Sequence, residues 1–300
     1  MRKSSSKSFL PLVARRSARH SIRGVDYHVS EWGEPSSPLL VLLHGFGDAG
    51  STFQFLVDEL ENDWFVIAPD WRGFGDSRMS SDSYWFPDYL ADLEALLAIY
   101  SPNKPANLIG HSMGGNIAGL YSGVFPERVA KFVNVEGFGL PDRDPEDAPA
   151  NYRAWIEASY KAAPYRSYDS FDVLAKRILK QSPRLSENRA LFVAQQWAAG
   201  QQDGHIRIKA DPAHKLPNPV LFRRRELEAC WRRVTAQVLI VVGAESKFWR
   251  AVMPELASDP ASLPFGSATV ATINEAGHMI HFEQPAALAA AIENFLGAEV

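Results

Sequence analysis

The sequence contains very little cysteine and no long apolar run. Cys230 is the single cysteine among 300 residues, which excludes an intramolecular disulfide and a cysteine-rich zinc site. No segment approaches the ~20 consecutive apolar residues that a membrane-spanning helix requires. Hydrophobic residues nevertheless make up 46% of the chain and charged residues 22%, a balance that supports a large buried core. These features predict a soluble, cytoplasmic protein without a membrane span.

Acidic residues are absent from the first 23 positions. This segment carries seven Lys or Arg residues, so the rest of the chain holds 24 basic against 35 acidic residues and a formal charge of about −11. An acidic body argues against nucleic acid as a partner. The Ser- and Arg-rich composition of the segment is common at solvated chain ends. We therefore expect residues 1–20 to form a basic, disordered tail, and a targeting role for it stays open.

Short apolar runs without polar alternation recur along the chain, as is typical of parallel strands covered on both faces. They lie at 39–43, 65–68, 108–109, 132–135, 238–242 and 269–273. Helical patterns separate them, for example Leu90, Leu93 and Leu97, or the segment that begins at Pro285. This alternation predicts an α/β fold with a mostly parallel, doubly wound sheet. Residues 21–32 are expected to add a hairpin of two strands.

The alternation of strand and helix patterns stops between residues 137 and 234. No short apolar strand is evident there, and the helical candidates lie near 150–161, 170–181, 186–199 and 222–233. Such a segment is expected to be a helical insertion between two strands of the sheet. The predicted organisation is therefore a core formed by residues 21–136 and 235–300, with a helical cap over 137–234.

Residues Gly110-His111-Ser112-Met113-Gly114 form a G-x-S-x-G motif between an apolar pair and a helical run. A serine in so tight a turn from strand to helix needs small neighbours, because the backbone is strained and other chain segments pass close by. The turn exposes the hydroxyl, and the amides at the start of the following helix favour negative charge beside it. Ser112 is therefore the candidate nucleophile.

Here the chain resembles the α/β-hydrolase superfamily, and three further motifs carry the same resemblance. They are His44-Gly45-Phe46-Gly47, Asp70-Trp71-Arg72-Gly73-Phe74-Gly75-Asp76-Ser77 and Ala276-Gly277-His278. The resemblance implies the α/β-hydrolase fold, with the insertion at the position of the family's cap. It also implies that the backbone amides of Phe46 and Met113 form an oxyanion hole, which stabilises the charge on a tetrahedral intermediate.

A serine hydroxyl needs a base, and imidazole is suited to this because its ordinary pKa lies near 6.5. His278 follows the last apolar run by a few residues and is our candidate base. His281 is expected to pack or cap nearby. For His44 and His111 the resemblance implies a structural role. His214, in the insertion, could contact substrate, although a locally bonded histidine is favoured.

The acidic member of the triad departs from the commonest family pattern. Many relatives carry an aspartate after the strand that matches 238–242, whereas this chain has Glu245, Ser246 and Lys247 there. Glu136 directly follows the run 132–135, an arrangement similar to that of some haloalkane dehalogenases. A carboxylate at the end of a core strand is held rigidly. We favour Glu136 as the acid and keep Glu245 as the alternative.

A serine at this turn argues against epoxide opening and halide displacement, for which relatives use an aspartate. The predicted activity is hydrolysis of a carboxylic ester, thioester or lactone of a small, largely apolar molecule through an acyl-serine. Carbon–carbon bond hydrolysis and perhydrolysis are alternatives on the same triad, and a non-catalytic ligand-binding module is an alternative of another class. No cofactor or metal is expected, because histidines and carboxylates do not cluster at ligand spacing. The expected partner is a small-molecule substrate.

Overall fold

An eight-stranded sheet runs through the computed structural model, which describes residues 9–77, 81, 83–160, 164–252 and 264–297. The strands of the protein are β1 (Arg16–Ile22), β2 (Val25–Trp32), β3 (Leu39–Leu43), β4 (Phe65–Pro69), β5 (Ala106–His111), β6 (Val129–Val135), β7 (Ser167–Tyr168), β8 (Ala198–Gly200), β9 (Ile206–Ile208), β10 (Gln237–Gly243) and β11 (Ala268–Ile273). Their order across the large sheet is β1-β2-β4-β3-β5-β6-β10-β11. All neighbours from β4 to β11 are parallel, whereas β1 and β2 run antiparallel to their neighbours. The predicted mostly parallel sheet is confirmed.

Helices cover both faces of this sheet. The described α-helices are α1 (Gln54–Val57), α2 (Phe86–Tyr100), α3 (Met113–Val124), α4 (Ala148–Ser159), α5 (Phe171–Gln181), α6 (Glu187–Trp197), α7 (Arg224–Trp231), α8 (Phe248–Val252), α9 (Ile280–Glu283) and α10 (Pro285–Gly297). Phe132 of β6 belongs to an apolar cluster with α2, α3 and α7, and its neighbour Val133 to a second cluster with α1 and α10. Burial on both faces explains the uninterrupted apolar runs. Within the described ranges, no helix combines the length and apolarity needed to cross a membrane.

The N-terminal segment differs from the expected tail. Residues 16–22 form β1, which pairs antiparallel with β2, and the Phe9 ring packs 4.8 Å from that of Phe55. The backbone amide of Val13 donates to the Asp58 carboxylate at 2.9 Å. Order therefore begins no later than residue 9, and the hairpin starts at Arg16 rather than at residue 21. Arg, Ser and His dominate β1, so the strand has no apolar signature. Residues 1–8 lie outside the described residues.

The insertion contains the four helices that its sequence pattern predicts, α4 to α7, but also a small sheet. Strands β7, β9 and β8 pair antiparallel in that order. A purely helical insertion was expected, so these strands were not predicted. Strands of two or three residues are too short to show a pattern in the sequence. Helices α5 and α6 pack against Phe55 and Phe282 of the core, which anchors the cap over the sheet edge.

Helix α7 belongs to the core layer rather than to the cap. Trp231 is fully buried in the cluster that contains α3, and a Cβ on Gly123 of α3 would lie 2.0 Å from the Cys230 carbonyl oxygen. The two ends of the insertion also meet, since the Arg224 guanidinium donates to the Phe138 carbonyl at 2.7 Å. The chain therefore returns to the core before α7, earlier than the predicted boundary at residue 234.

The C-terminal ends of four neighbouring strands meet at one edge of the sheet. Leu43 of β3 is in register with Gly110 of β5, and Val135 of β6 is in register with both His111 and Val241 of β10. The loops that follow these strands therefore converge. In parallel sheets this edge is where ligands bind.

Candidate active site

Ser112 lies in a sharp turn between β5 and α3. Its backbone has φ +52° and ψ −115°, a conformation that L-residues rarely adopt. A Cβ on Gly114 would lie 2.1 Å from the Leu43 carbonyl oxygen, so only glycine fits between the turn and β3. The Ser112 amide donates to the Val135 carbonyl at 2.8 Å and fixes the turn on β6. The motif thus folds as the strand–turn–helix that its sequence predicts.

The structure brings Ser112, His278 and Glu136 into one hydrogen-bonded chain. The distance from His278 Nε2 to Ser112 Oγ is 3.0 Å, and that from His278 Nδ1 to Glu136 Oε2 is 3.1 Å. An ionised carboxylate only accepts hydrogen bonds, so Nδ1 carries the proton and Nε2 presents a lone pair to the serine hydroxyl. This is the tautomer that a general base requires. The His278 side chain is 33% exposed, which leaves it open to a substrate.

The Glu136 carboxylate is held by the end of β10 and the loop that follows it. Its side chain is fully buried, Oε1 accepts from the Gly243 amide at 2.8 Å, and Oε2 accepts from the Ser246 hydroxyl at 2.6 Å. A buried carboxylate is costly unless hydrogen bonds compensate it, and these donors, together with His278, do so. They also fix the carboxylate against the imidazole.

Glu245 lies away from this chain of contacts. Its carboxylate forms a two-pronged ion pair with the Arg184 guanidinium, and its side chain is 49% exposed. The neighbouring Ser246 is 1% exposed and points inward to Glu136. Of the two candidate acids, the structure brings Glu136 to His278 and leaves Glu245 on the surface between cap and core.

The predicted oxyanion donors lie on either side of Ser112. Met113 is the first residue of α3, where helix amides have no partner within the helix. Phe46 follows β3 in a loop that passes close to the nucleophile, since a Cβ on Gly45 would lie 3.1 Å from the Ser112 Cβ. Neither amide donates to another group among the residues that the structure describes. Both are therefore available to a substrate oxygen.

Two adjoining cavities open at this edge of the sheet. A cavity of about 180 Å³ is lined by Ser112 and His278 together with Gln181 and Trp197 of the cap. A second cavity of about 280 Å³ is lined by Met113 and by residues of the cap. These include Leu140, Trp155, His214 and Leu216, and Tyr84 and Phe86 border it from the core. Phe46 lines both cavities. Neither cavity has a lysine or arginine among its described lining residues.

Three buried histidines connect the motif loops. His44 donates from Nδ1 to the Gly45 carbonyl at 2.7 Å and accepts from the Trp71 amide at 2.8 Å. His111 donates from Nε2 to the His278 carbonyl at 2.8 Å, and His281 donates from Nε2 to Asp48 at 3.2 Å. Burial lowers the pKa of His44, and that of His111 falls well below its usual value. None of the three contacts the Ser112 hydroxyl.

His214 lies in a stack of aromatic rings at the second cavity. Its ring centroid is 3.8 Å from that of Phe74 and 3.5 Å from that of Tyr84, and Nε2 donates to the Arg72 carbonyl at 3.1 Å. Burial lowers the pKa of His214 to about 4. The neutral ring is thus both locally bonded, as favoured from the sequence, and a lining residue of the cavity.

The role of Ser246 was missed from the sequence, although a signal for it existed. The family resemblance predicts an acid at Ser246 or Lys247, so an inward-facing polar side chain could have been expected at one of them. Asp48 was also missed. Its Oδ1 accepts from the Thr52 hydroxyl and from Trp197 Nε1 of the cap, at 2.8 and 2.7 Å. Burial alone would raise the pKa of Asp48, but the hydrogen bonds from His281 and Trp197 and the electrostatic attraction of His281 and His44 together outweigh it and hold the pKa below its ordinary value.

Comparison with known proteins agrees with the fold. The family model described as the alpha/beta hydrolase fold matches residues 38–285. A serine hydrolase-like protein of Danio rerio is 27% identical over 88% of this chain and 83% of its own length. A 3-hydroxybutyrate-oligomer hydrolase of Cupriavidus necator is 28% identical over 91% of this chain and 92% of its own. The thioesterase domain from the curacin biosynthetic pathway superposes with a TM-score of 0.84 at 22% identity, over 94% of this chain and 99% of that domain.

Proposed function

Because the chain belongs to the alpha/beta hydrolase family, we propose that it is a serine hydrolase that cleaves a carboxylic ester, thioester or lactone of a small, largely apolar molecule. The observation that carries the proposal is the contact of Ser112 Oγ with His278 Nε2 at 3.0 Å, with Glu136 behind the imidazole. The similarity to an oligoester hydrolase and to a thioesterase domain supports acyl transfer as the class of reaction.

The reaction begins when Ser112 Oγ attacks the carbonyl carbon and its proton passes to His278 Nε2. Glu136 stabilises the imidazolium, and the amides of Phe46 and Met113 bind the oxyanion, each contributing on the order of 3 kcal/mol. The bond to the leaving group breaks as His278 returns the proton to the departing oxygen or sulfur. Water then attacks the acyl-serine as His278 takes its proton. The bond between the acyl carbon and Ser112 Oγ breaks as His278 returns that proton to Oγ, which releases the acid and restores the serine hydroxyl.

The two cavities suggest where the parts of the substrate lie. The leaving atom must be near His278, which lines the cavity of about 180 Å³, whereas Met113 lines the cavity of about 280 Å³. We assign the smaller cavity to the leaving group and the larger, aromatic-lined cavity to the acyl group. The lack of lysine and arginine among the described lining residues argues against an anionic substrate.

Turnover of aryl and alkyl esters, thioesters and lactones by the wild type and Ser112→Ala tests the proposal. The variant should lose at least ~10³-fold in kcat, because the nucleophile is removed. A fluorophosphonate should add one mass increment to the wild type and none to the variant. Ser159→Ala, at an exposed serine that lines neither cavity, is the matched control and should behave as the wild type. Equal rates for wild type and Ser112→Ala across the panel would instead favour a ligand-binding module.

A further inference from the structure

Asp48 closes the turn that carries the Phe46 amide. The Asp48 amide donates to the Gly45 carbonyl at 3.3 Å, and Gly47 between them has φ +76°, a value that favours glycine. The turn lies against the nucleophile, since a Cβ on Gly45 would be 3.1 Å from the Ser112 Cβ. The direction of the Phe46 amide therefore depends on how Asp48 is held.

The Asp48 carboxylate is buried and receives four hydrogen bonds. Oδ1 accepts from the Ala49 amide and the Thr52 hydroxyl, both at 2.8 Å, and from Trp197 Nε1 at 2.7 Å. Oδ2 accepts from His281 Nε2 at 3.2 Å. Because the side chain is only 2% exposed, these donors rather than solvent compensate its charge.

Two of the four donors connect the turn to other parts of the site. Trp197 is the last residue of α6, so its indole carries the contact from the cap to the core, across 149 residues of sequence. His281 belongs to α9, just after the candidate base His278. Asp48 therefore joins the cap, the turn of Phe46 and the segment that follows the base.

Trp197 also borders the cavity at the nucleophile. It lines the cavity of about 180 Å³ together with Ser112 and Asp48, and its ring centroid is 6.1 Å from that of Phe282 in the core. Its Nε1 can reach Asp48 only while α6 is packed on the core. The hydrogen bond thus forms only when the cap covers the cavity.

We propose that Asp48 is a positioning residue for the oxyanion hole and that Trp197 of the cap holds it in place; the inference rests on the proposed function. A buried carboxylate that loses one donor shifts towards the donors that remain, because uncompensated charge is costly. Without Trp197 Nε1, Asp48 moves towards Ala49 and Thr52 and turns the Phe46 amide away from the oxyanion. A misaligned donor weakens binding of the transition state rather than of the substrate.

Trp197→Phe removes the indole donor and keeps an aromatic ring at the cavity. With an aryl ester, kcat should fall at least tenfold while KM stays within twofold of the wild-type value. Trp64→Phe is the matched control, because Trp64 is also half-buried and its Nε1 donates to the Glu293 carboxylate at 3.0 Å. It precedes β4, at the end of the sheet opposite the site, and should keep wild-type kinetics.

Two ketones separate the oxyanion hole from the shape of the cavity. Ser112 Oγ adds to the carbonyl carbon of an aryl trifluoromethyl ketone, its proton passes to His278, and the carbonyl oxygen becomes an oxyanion. The methyl ketone with the same aryl group has nearly the same shape but resists this addition. Trp197→Phe should weaken the trifluoromethyl ketone at least tenfold and the methyl ketone less than twofold. Equal weakening of both would mean that Trp197 acts through the shape of the cavity, which overturns the proposal.

Hydrogen exchange tests the contact between cap and turn without any substrate. The Asp48 amide bonds within the turn and the Ala49 amide bonds to the carboxylate itself, so both should exchange faster once the carboxylate shifts. A peptide covering residues 45–53 should therefore exchange at least threefold faster in Trp197→Phe than in the wild type, and at the wild-type rate in Trp64→Phe.

Asp48→Asn supplies a second variant if Trp197→Phe does not fold, as judged by thermal melting. Its amide places a donor against either His281 or the donors at Oδ1, so kcat should fall at least fivefold and the same peptide should exchange faster. Wild-type kcat and exchange in a folded Trp197→Phe, with an active wild type, would overturn this inference alone. A wild type no faster than Ser112→Ala would instead refute the proposed function, and exchange would then decide whether the cap holds the turn.

Discussion

The Ser246 hydroxyl donates a 2.6 Å hydrogen bond to Glu136 Oε2, the same oxygen that faces His278 Nδ1 at 3.1 Å. Ser246 therefore lies within one hydrogen bond of Glu136, in the segment where the family resemblance predicts an acid at Ser246 or Lys247. The carboxylate follows strand β6, and the loop after the neighbouring strand β10 supplies a hydrogen-bond donor to it. Both positions reach the same point in space, because β6 and β10 are adjacent and parallel.

Glu136→Gln should lower kcat by about 10³- to 10⁴-fold with little change in KM. The amide can present its NH₂ to Nδ1 and so favour the wrong tautomer of His278, as loss of an orienting carboxylate does elsewhere. Steady-state kinetics on an aryl ester measure the effect. Glu245→Gln is the matched control and should retain wild-type turnover. The opposite outcome would assign the acid to Glu245.

Ser246→Asp should rescue a chain that lacks Glu136. In Glu136→Ala/Ser246→Asp the new carboxylate lies beside the space left by the old one, and we expect at least about tenfold higher kcat than in Glu136→Ala alone. Ser246→Ala in the wild type should lower kcat by about tenfold and leave KM unchanged, because it removes only a donor that positions Glu136. Failure of the double variant to exceed Glu136→Ala would mean that the two positions are not interchangeable.

Exposed residues at the two cavities should separate acyl from leaving-group specificity. Leu140→Trp narrows the larger cavity and should lower kcat/KM for naphthoate methyl esters at least about tenfold, while acetate esters change little. Gln181→Trp narrows the smaller cavity. It should lower kcat/KM for acetate esters of bulky alcohols and leave that for naphthoate methyl esters little changed. Leu140 and Gln181 are both exposed, so folding should tolerate each change. If Leu140→Trp instead impaired the acetates of bulky alcohols and Gln181→Trp the naphthoate esters, the assignment of the two cavities would be reversed.

His214 should make the protein less stable in acid. Its pKa falls to about 4 in the folded state through burial, against an ordinary value near 6.5, so protonation favours the unfolded chain. The stability that the neutral ring contributes is complete above about pH 6.5 and is lost as the pH falls towards 4, by roughly 2 to 3 kcal/mol at pH 4.5. His214→Phe keeps an aromatic ring between Phe74 and Tyr84 and cannot be protonated.

Urea unfolding of the wild type and His214→Phe at pH 7.5 and pH 4.5 measures this difference. Between pH 7.5 and pH 4.5 the free energy of unfolding should fall further in the wild type than in His214→Phe. The difference between the two falls is due to His214, because the two proteins share all other titratable groups. Equal falls in the two proteins would show that the histidine titrates in the same way in both states.

Local motifs predicted those parts of the site in which the chemistry lies close together in sequence. Ser112 and His278 were identified because each loop carries its own pattern of glycines. The sequence favours Glu136 but leaves Glu245 as an alternative, since both lie within two residues of the end of a core strand and only the direction of the side chains separates them. Glu245 turns to Arg184 in the cap, a contact across 61 residues of sequence.

The core strands were predicted almost completely because burial on both faces gives each an apolar run. Strand β1 has no apolar run, because it is stabilised by its hydrogen bonds to β2 rather than by burial on both faces. Pairing of this kind leaves no pattern in the local sequence. Helix α7 was predicted as a helix but assigned to the cap. Its packing on α3 depends on Gly119 and Gly123, about a hundred residues earlier in the chain.

The joining of the ends of the insertion limits how this enzyme can be recombined with its relatives. The Arg224 backbone amide donates to the Asp142 carboxylate at 2.9 Å, and its guanidinium donates to the Phe138 carbonyl. Helix α7, which begins at Arg224, packs closely against α3. A chimaera that exchanges specificity must therefore cross over just after residue 142 and just before residue 224. The exchanged segment must keep the contacts of α5 and α6 with Phe55 and Phe282 of the core, while Arg224–Trp231 stays with the core and joins the two ends of the insertion.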